Sequence, residues 1–274
     1  MRLIADIGGT NARFSLSEGG GYSKPVILPV AGHERFTDAM TAFLEEQGGI
    51  AVASCAVAAA GPVVNGAVRL TNAHWTVDGR EIADRLGCPV AVLNDLEAVG
   101  CALPYLARDH LHVLREGGAR TRAPMIAVNV GTGFGASVAV PAGDGWVTLP
   151  TEPGHMLLPE AGMTVEHVLT GRSLARMKRD GTVDALDAFS RTLGRVTRDL
   201  VLATGAWGGV RFCGGVLATW EENVDTAAFL DTYDIDGPMK GRLAEVSLAR
   251  IVHPHPALFG LLHARIGSEG GIVP

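Results

Sequence analysis

The stretch PVAVLNDLEAVGCAL sets an amide and a carboxylate, Asn94 and Asp95, where an apolar run stops and a helical pattern begins. A carboxylate is an acceptor-only pair of oxygens, the equipment for taking a proton from a hydroxyl. The same dipeptide also serves as a plain turn or helix cap. Two glycine turns form a second group of candidates: Asp6-Ile7-Gly8-Gly9-Thr10-Asn11 follows the run RLIADI, and Gly131-Thr132-Gly133-Phe134-Gly135 follows MIAVNV. Glycine permits positive φ and lets backbone N–H groups come close to a phosphate, while Thr10 adds a hydroxyl donor. A carboxylate at Asp6 repels phosphate directly and makes sense if Mg²⁺ or its water shell lies between them. A simple hairpin turn uses the same residues. Neither segment is a GxxxxGK[ST] loop, and a strand rather than a helix follows the first, unlike a dinucleotide-binding fingerprint.

In LPTEPGHMLLP, Glu152 and His155 stand three residues apart between Pro150 and Pro159. A carboxylate that accepts and an imidazole that donates or accepts suit the recognition of vicinal hydroxyls, with exposed polarity the plainer use. Glu166 opens the segment VEHVLTG, near a helix start where the dipole alone favours a carboxylate. His253-Pro254-His255 lacks companion ligands for a metal. Trp146, Trp207 and Trp220 have no interleaved basic residues, which points to packing rather than nucleic-acid stacking.

The elements that must carry these residues alternate strand and helix. RLIADI, the glycine turn and FSLSE read as strand, turn and strand, with PVILPV a further strand; the spacing predicts a helix over Thr37 to Gln47, ended by Gly48-Gly49. Asp78 with Glu81 resembles a capping box for a helix through Ile82 and Leu86, stopped at Gly87, which feeds the strand before Asn94. MIAVNVGTGFGASVAV superposes on LIADIGGTNARFSLS, with Asn129 where Asp6 stands, so a duplicated lobe is expected. Leu186, Phe189, Leu193, Val196 and Leu200 step as one amphipathic helix. Further helices are expected around Glu221 to Leu230, Met239 to Leu248 and Pro256 to Ile266, with GGVRFCGGV and ARIVH as short strands. Strand-helix-strand order implies an α/β fold. The expected domains are an N-terminal lobe over 1–108 and a more helical lobe over 109–274, whose last helix can pack back on the first lobe.

Composition narrows the partners. A net charge of −6 with 19% charged residues gives no electrostatic case for nucleic acid or an anionic membrane. The opening MRLIADIGG is too short an apolar run for a signal peptide, so a cytoplasmic protein is expected. The charge-free stretch from Ile50 to Val68 is broken by Gly61-Pro62 and Asn65-Gly66 into strand-sized pieces rather than a membrane span. Cys55, Cys88, Cys101 and Cys213 are dispersed without CxxC spacing and read as reduced, structural residues.

With ADIGGTNAR, LTNAHW, LNDLEAV, VGTGFG, TEPGH, VEHVLTG, GGVRFCGGV and HPHPALFG in order, the chain resembles the bacterial ATP-dependent glucokinases over nearly its whole length. The resemblance implies a duplicated actin-like ATPase (ribonuclease H-like) fold, with two lobes around a central cleft. It implies ATP and Mg²⁺ as cofactors and a hexose as substrate, with a homodimer as one assembly consistent with it. By the same resemblance Asp95 is the catalytic base, Asn94 its neighbour on the sugar, and Glu152, His155 and Glu166 are sugar-hydroxyl ligands. Asp6, Ile7, Gly8, Gly9, Thr10 and Asn11 become the first phosphate segment, with Asp6 on the metal through water. Gly131, Thr132, Gly133 and Gly135 become the second, and Gly214-Gly215 part of the adenine-side pocket. This chain departs from the family in three ways: Glu152 and Glu166 are only fourteen positions apart, the region after Trp220 is abbreviated, and Pro153 and Arg172 stand where glycines are usual. Transfer of the γ-phosphoryl group of ATP to the 6-hydroxyl of D-glucose is the expected activity; the alternatives are a kinase of another hexose and a non-catalytic sugar-binding regulator.

Overall fold

The structure, a computed structural model, describes residues 1–71, 73–118, 122–159, 161–181 and 184–267. Asn72, inside the LTNAHW segment, lies outside them. In chain order the elements are β1 (Arg2–Ile7), β2 (Asn11–Glu18), β3 (Gly21–Tyr22), β4 (Val26–Pro29), α1 (Phe36–Glu46), β5 (Ser54–Ala59), β6 (Ala67–Arg69), β7 (Thr76–Asp78), α2 (Gly79–Leu86), β8 (Val90–Asn94) and α3 (Asp95–Ala102). They continue with β9 (Leu111–Arg115), β10 (Met125–Val130), β11 (Phe134–Ala142), β12 (Gly145–Thr151), β13 (Leu157–Leu158), β14 (Met163–Thr164), α4 (Val165–Val168), α5 (Gly171–Arg179) and α6 (Ala185–Thr204). The remainder is β15 (Gly209–Cys213), α7 (Gly215–Ala218), α8 (Trp220–Asn223), α9 (Thr226–Tyr233), α10 (Lys240–Ala244), β16 (Leu248–Ile251) and α11 (Pro256–His263). Two compact units result, Met1–Ala102 joined by the chain from His255 onward, and Leu103–Pro254.

The first unit is built on the order β3-β2-β1-β5-β8, with β4 also paired to β2; β1 runs antiparallel to β2 and parallel to β5. The second follows β12-β11-β10-β15-β16-β9, with β10 antiparallel to β11 and parallel to β15. The hairpin-plus-parallel-strand frame therefore occurs twice, as the internal match in the sequence implies. β5, between β1 and β8, and β8 at the end of the sheet are both buried almost throughout and read as apolar runs, SCAVAA and VAVLN. Phe14 stacks on Phe43 at 5.4 Å and on Phe36 at 5.8 Å in the first core, and Phe212, Trp220, Phe229 and Tyr233 form the second aromatic cluster. Each such buried ring contributes about 2–3 kcal/mol of hydrophobic stabilisation.

The last helix belongs to the first unit. Gly260 of α11 meets α3 so closely that a Cβ there would lie 1.7 Å from the Ala98 carbonyl oxygen. At the far end of α11, one guanidinium nitrogen of Arg2 donates to the carbonyls of Leu261 (2.9 Å), Leu262 (2.8 Å) and Ala264 (3.2 Å), oxygens that a helix C-terminus otherwise leaves unpaired.

Several local expectations are corrected. Asp78 caps α2 by accepting from Arg80 N–H at 2.8 Å, but Glu81 does not return the bond; it accepts from Thr37 Oγ1 at 3.0 Å and pairs with Arg35, tying α2 to α1. The helix expected over Glu221 to Leu230 is broken because Asp225 takes the N–H groups of Ala227 and Ala228 and starts α9 afresh. The helix expected over Met239 to Leu248 stops at Ala244, and Leu248 instead opens β16, which pairs with β15 and β9. Of the three tryptophans, Trp220 is in the core, whereas Trp146 and Trp207 are half-buried, each under a guanidinium, Arg122 at 5.9 Å and Arg242 at 3.9 Å. No described helix is long and apolar enough to cross a membrane.

Candidate active site

In the first unit the chemistry collects at the carboxyl ends of β1 and β8. β1 delivers Asp6 to its last turn of chain, and the loop beyond closes through Gly8 N–H donating to the Asn11 carbonyl at 3.0 Å, leaving Gly9 and Thr10 exposed at the tip. Gly8 does not adopt positive φ, which corrects the conformational argument for it: a Cβ there would only touch the Asn11 oxygen, at 3.5 Å. The Asp6 carboxylate is half-buried and 3.3 Å from the Arg13 guanidinium across the hairpin. Burial holds its carboxyl above the usual range, Arg13 opposes the rise, and the charge of Asp95 adds to it. Asp6 and Asp95 are thus electrostatic neighbours.

Asp95 is exposed at the first position of α3. Its neighbour Asn94 caps that helix, Oδ1 accepting from the N–H groups of Leu96 (2.9 Å) and Glu97 (3.4 Å), while Nδ2 donates to the Gly61 carbonyl at 3.0 Å. One amide hydrogen of Asn94 is left over from these contacts for a ligand. Glu97, buried beneath them, returns a bond by accepting from Asn94 N–H at 3.3 Å, and burial pushes its carboxyl up to about 7 against that hydrogen bond. The candidate set missed Glu97. The signal was present in N-D-L-E, a cap residue followed at the third position by glutamate.

The second unit gathers its own share. The β10–β11 turn places Gly131 against Gly215, at 3.8 Å from a built Cβ to the Gly215 nitrogen, and Gly171 N–H donates to the Gly131 carbonyl at 3.0 Å. Gly131 and Gly133 also lack positive φ; space requires glycine at 133, while a Cβ at 131 would make only ordinary contacts. A Cβ on Gly133 would lie 2.9 Å from Glu166 Oε2, the oxygen that accepts from Phe134 N–H at 3.2 Å. Gly154 would meet the Phe134 carbonyl at 2.5 Å and Glu166 Oε2 at 3.4 Å. Glu152 and His155, both exposed, flank Gly154 on the short 3-10 turn Pro153–His155, where buried Pro153 opens the turn. Gly214, with φ of +93°, passes Asn129 so closely that no side chain fits. Glu152, His155, Glu166, the Gly131–Gly135 turn and Gly214-Gly215 therefore converge within one unit, although they are scattered over 85 positions of sequence.

Among the described residues no three His, Cys, Asp or Glu side chains converge as a self-contained metal site. The carboxylate beside the first glycine turn, Asp6, would suit a magnesium ion held through water.

Two units on one strand order, each with a glycine turn after its central strand, define the duplicated actin-like fold of sugar kinases. A family model described as Glucokinase matches residues 3–179 and 160–266. A glucokinase of Nitrobacter hamburgensis is 30% identical over 306 aligned positions, covering 95% of this chain and 96% of its own length. A solved glucokinase from an Antarctic psychrotroph superposes with a TM-score of 0.85 at 24% identity, covering 95% and 97% of the two chains. A ROK family glucokinase from Streptomyces griseus, solved in complex with glucose and AMPPNP, superposes at 0.64 with 21% identity, covering 95% and 98%. The chain belongs to the glucokinase family, a family of ATP-dependent hexose phosphotransferases. The Nitrobacter alignment runs over more positions than the 274 residues of this chain, so that relative carries segments absent here.

Proposed function

We propose that the protein transfers the γ-phosphoryl group of ATP to the 6-hydroxyl of D-glucose. The observation that carries this reading is the position of Asp95: an exposed carboxylate on the first turn of α3, beside Asn94, which caps that helix, and within electrostatic reach of Asp6. Asp95 accepts the hydroxyl proton as the oxygen attacks phosphorus, a role worth about 10²–10⁴-fold in rate. Glu152 and His155 bind ring hydroxyls, and Glu166 offers Oε1 to the sugar while Oε2 stays on Phe134 N–H. The turns at Gly8–Asn11 and Gly131–Gly135 present backbone N–H groups to the phosphates, where fixed dipoles stabilise charge that develops on the phosphoryl oxygens. Mg²⁺ bound with the triphosphate supplies further charge neutralisation, with Asp6 its anchor through water. Gly214-Gly215 border the adenine side.

Pro153 favours a second reading within the class. It stiffens the loop that carries Glu152 and His155, and the short segment to Glu166 alters what surrounds them, so another hexose is the alternative substrate. A coupled ADP-release assay with Mg-ATP across glucose, mannose, fructose, glucosamine and N-acetylated sugars decides. Glucose is expected to give the highest kcat/KM. A tenfold preference for another sugar would replace glucose, and binding of sugar and ATP without product would make the protein a regulator. The reading places the protein in the cytoplasm, and sedimentation distinguishes a monomer from a homodimer.

A further inference from the structure

A carboxylate buried to 5% exposure sits two residues beyond Asp95. Burying Glu97 in the apolar first unit is unfavourable unless the group has hydrogen bonds to make. Its Oε2 takes the N–H of Asn94, and Asn94 Oδ1 takes the N–H of Glu97, a reciprocal box around the single residue that must face outward. The Asn94 amide is held a third time by the Gly61 carbonyl, from the loop after β5. Other helices in the chain manage with less: Asp78, Thr170 and Asp225 cap α2, α5 and α9 with no carboxylate reaching back. The doubled cap occurs where a carboxylate must be aimed.

We propose that Glu97 is a positioning residue for phosphoryl transfer: as the returning half of the box it fixes the peptide between Asn94 and Asp95, and with it the height and direction of the Asp95 carboxylate. The inference rests on the reading of Asp95 as the base. Displacement of a reacting group by about 1 Å can cost about 10²-fold in rate, so a loosened box is expected to be visible in kcat.

Three variants of the full chain test this with the coupled ADP-release assay and thermal melts. Glu97→Met fills the same buried volume without an acceptor; it is expected to melt as a folded protein while kcat falls about 10- to 100-fold and the KM for ATP stays put. Glu97→Gln keeps an oxygen that makes the return bond and is expected to hold kcat within about twofold of the parent. Asp95→Asn, measured alongside, separates the two claims. If Asp95→Asn is inactive and folded Glu97→Met turns over like the parent, the positioning role is overturned and the base stands. A folded Glu97→Gln as slow as Glu97→Met also overturns it, since the acceptor geometry would then not be what matters. Parent-like turnover in Asp95→Asn overturns the base and the positioning role together.

Discussion

The two hairpins that carry the glycine turns share one frame and differ in what fills it. Asp6 lies across β1 and β2 from Arg13 and beside Ala58 of β5; Asn129 lies across β10 and β11 from Gly135 and beside Cys213 of β15. The first hairpin is charged and sterically open, with Asp6 in reach of both Arg13 and Asp95 and nothing nearer than 3.5 Å to a Cβ on Gly8. The second carries no charge at the matching position and is sterically closed, with Gly133, Gly154 and Gly214 each within 3 Å of a neighbour if given a Cβ. One duplicated backbone frame thus carries two fillings: charged side chains beside the first turn and close packing around the second.

The comparison can be broken at its charged side first. Asp95→Asn should lower kcat by about 10²–10⁴-fold with an unchanged melt, and parent-like turnover in the coupled assay would remove Asp95 from the chemistry. The closed side is next: Gly214→Ala forces a side chain 2.5 Å from both Asn129 Oδ1 and the Val130 carbonyl at a φ of +93°. Urea denaturation should register a loss of about 3–4 kcal/mol.

A pH series sharpens the contrast. The Glu97 carboxyl rises from 4.5 to about 7 on folding, so the folded chain keeps that proton longer than the unfolded one. Its stabilising effect is complete below about 4.5 and is lost as pH climbs through about 7, by up to about 3 kcal/mol, and Glu97→Gln should flatten that slope in urea midpoints. Asp6 follows the same sign, with burial raising its carboxyl and Arg13 opposing the rise; Asp6→Asn, which copies the second hairpin into the first, should remove that contribution and weaken the dependence of rate on Mg²⁺. Smallest of all is Gly8→Ala, where open space and ordinary φ predict a change of less than about 1 kcal/mol.

Elements with a local signal were legible in the sequence. β1, β2, β10 and β11 follow from apolar runs broken by glycine turns, and α6 from its three- and four-residue steps. Asp95 was legible because a strand end followed by a helix start exposes its first residues. What eluded sequence reasoning depends on partners far along the chain. Glu81 satisfies the local pattern of a capping box, yet Thr37 and Arg35 draw it to α1. Glu166 looks like a helix-terminal carboxylate, and only the fold brings Phe134 N–H, 32 residues away, onto its oxygen. Glu97 was hidden by its type, since a glutamate beside a polar dipeptide reads as exposed, and only the fold buries it with Oε2 on Asn94 N–H.

The clasp of Arg2 on α11, and of Gly260 on α3, gives the protein an order of assembly. A ribosome releases Asp95 long before it releases Gly260, and until then α3 lacks the helix that presses on its flank. The nascent polypeptide holds every proposed reactive side chain of the first unit without a seat for them, so translation must run through α11 before ATP can be spent. A product terminated ahead of Pro256 should be inert for that reason, with no residue of the proposed site missing.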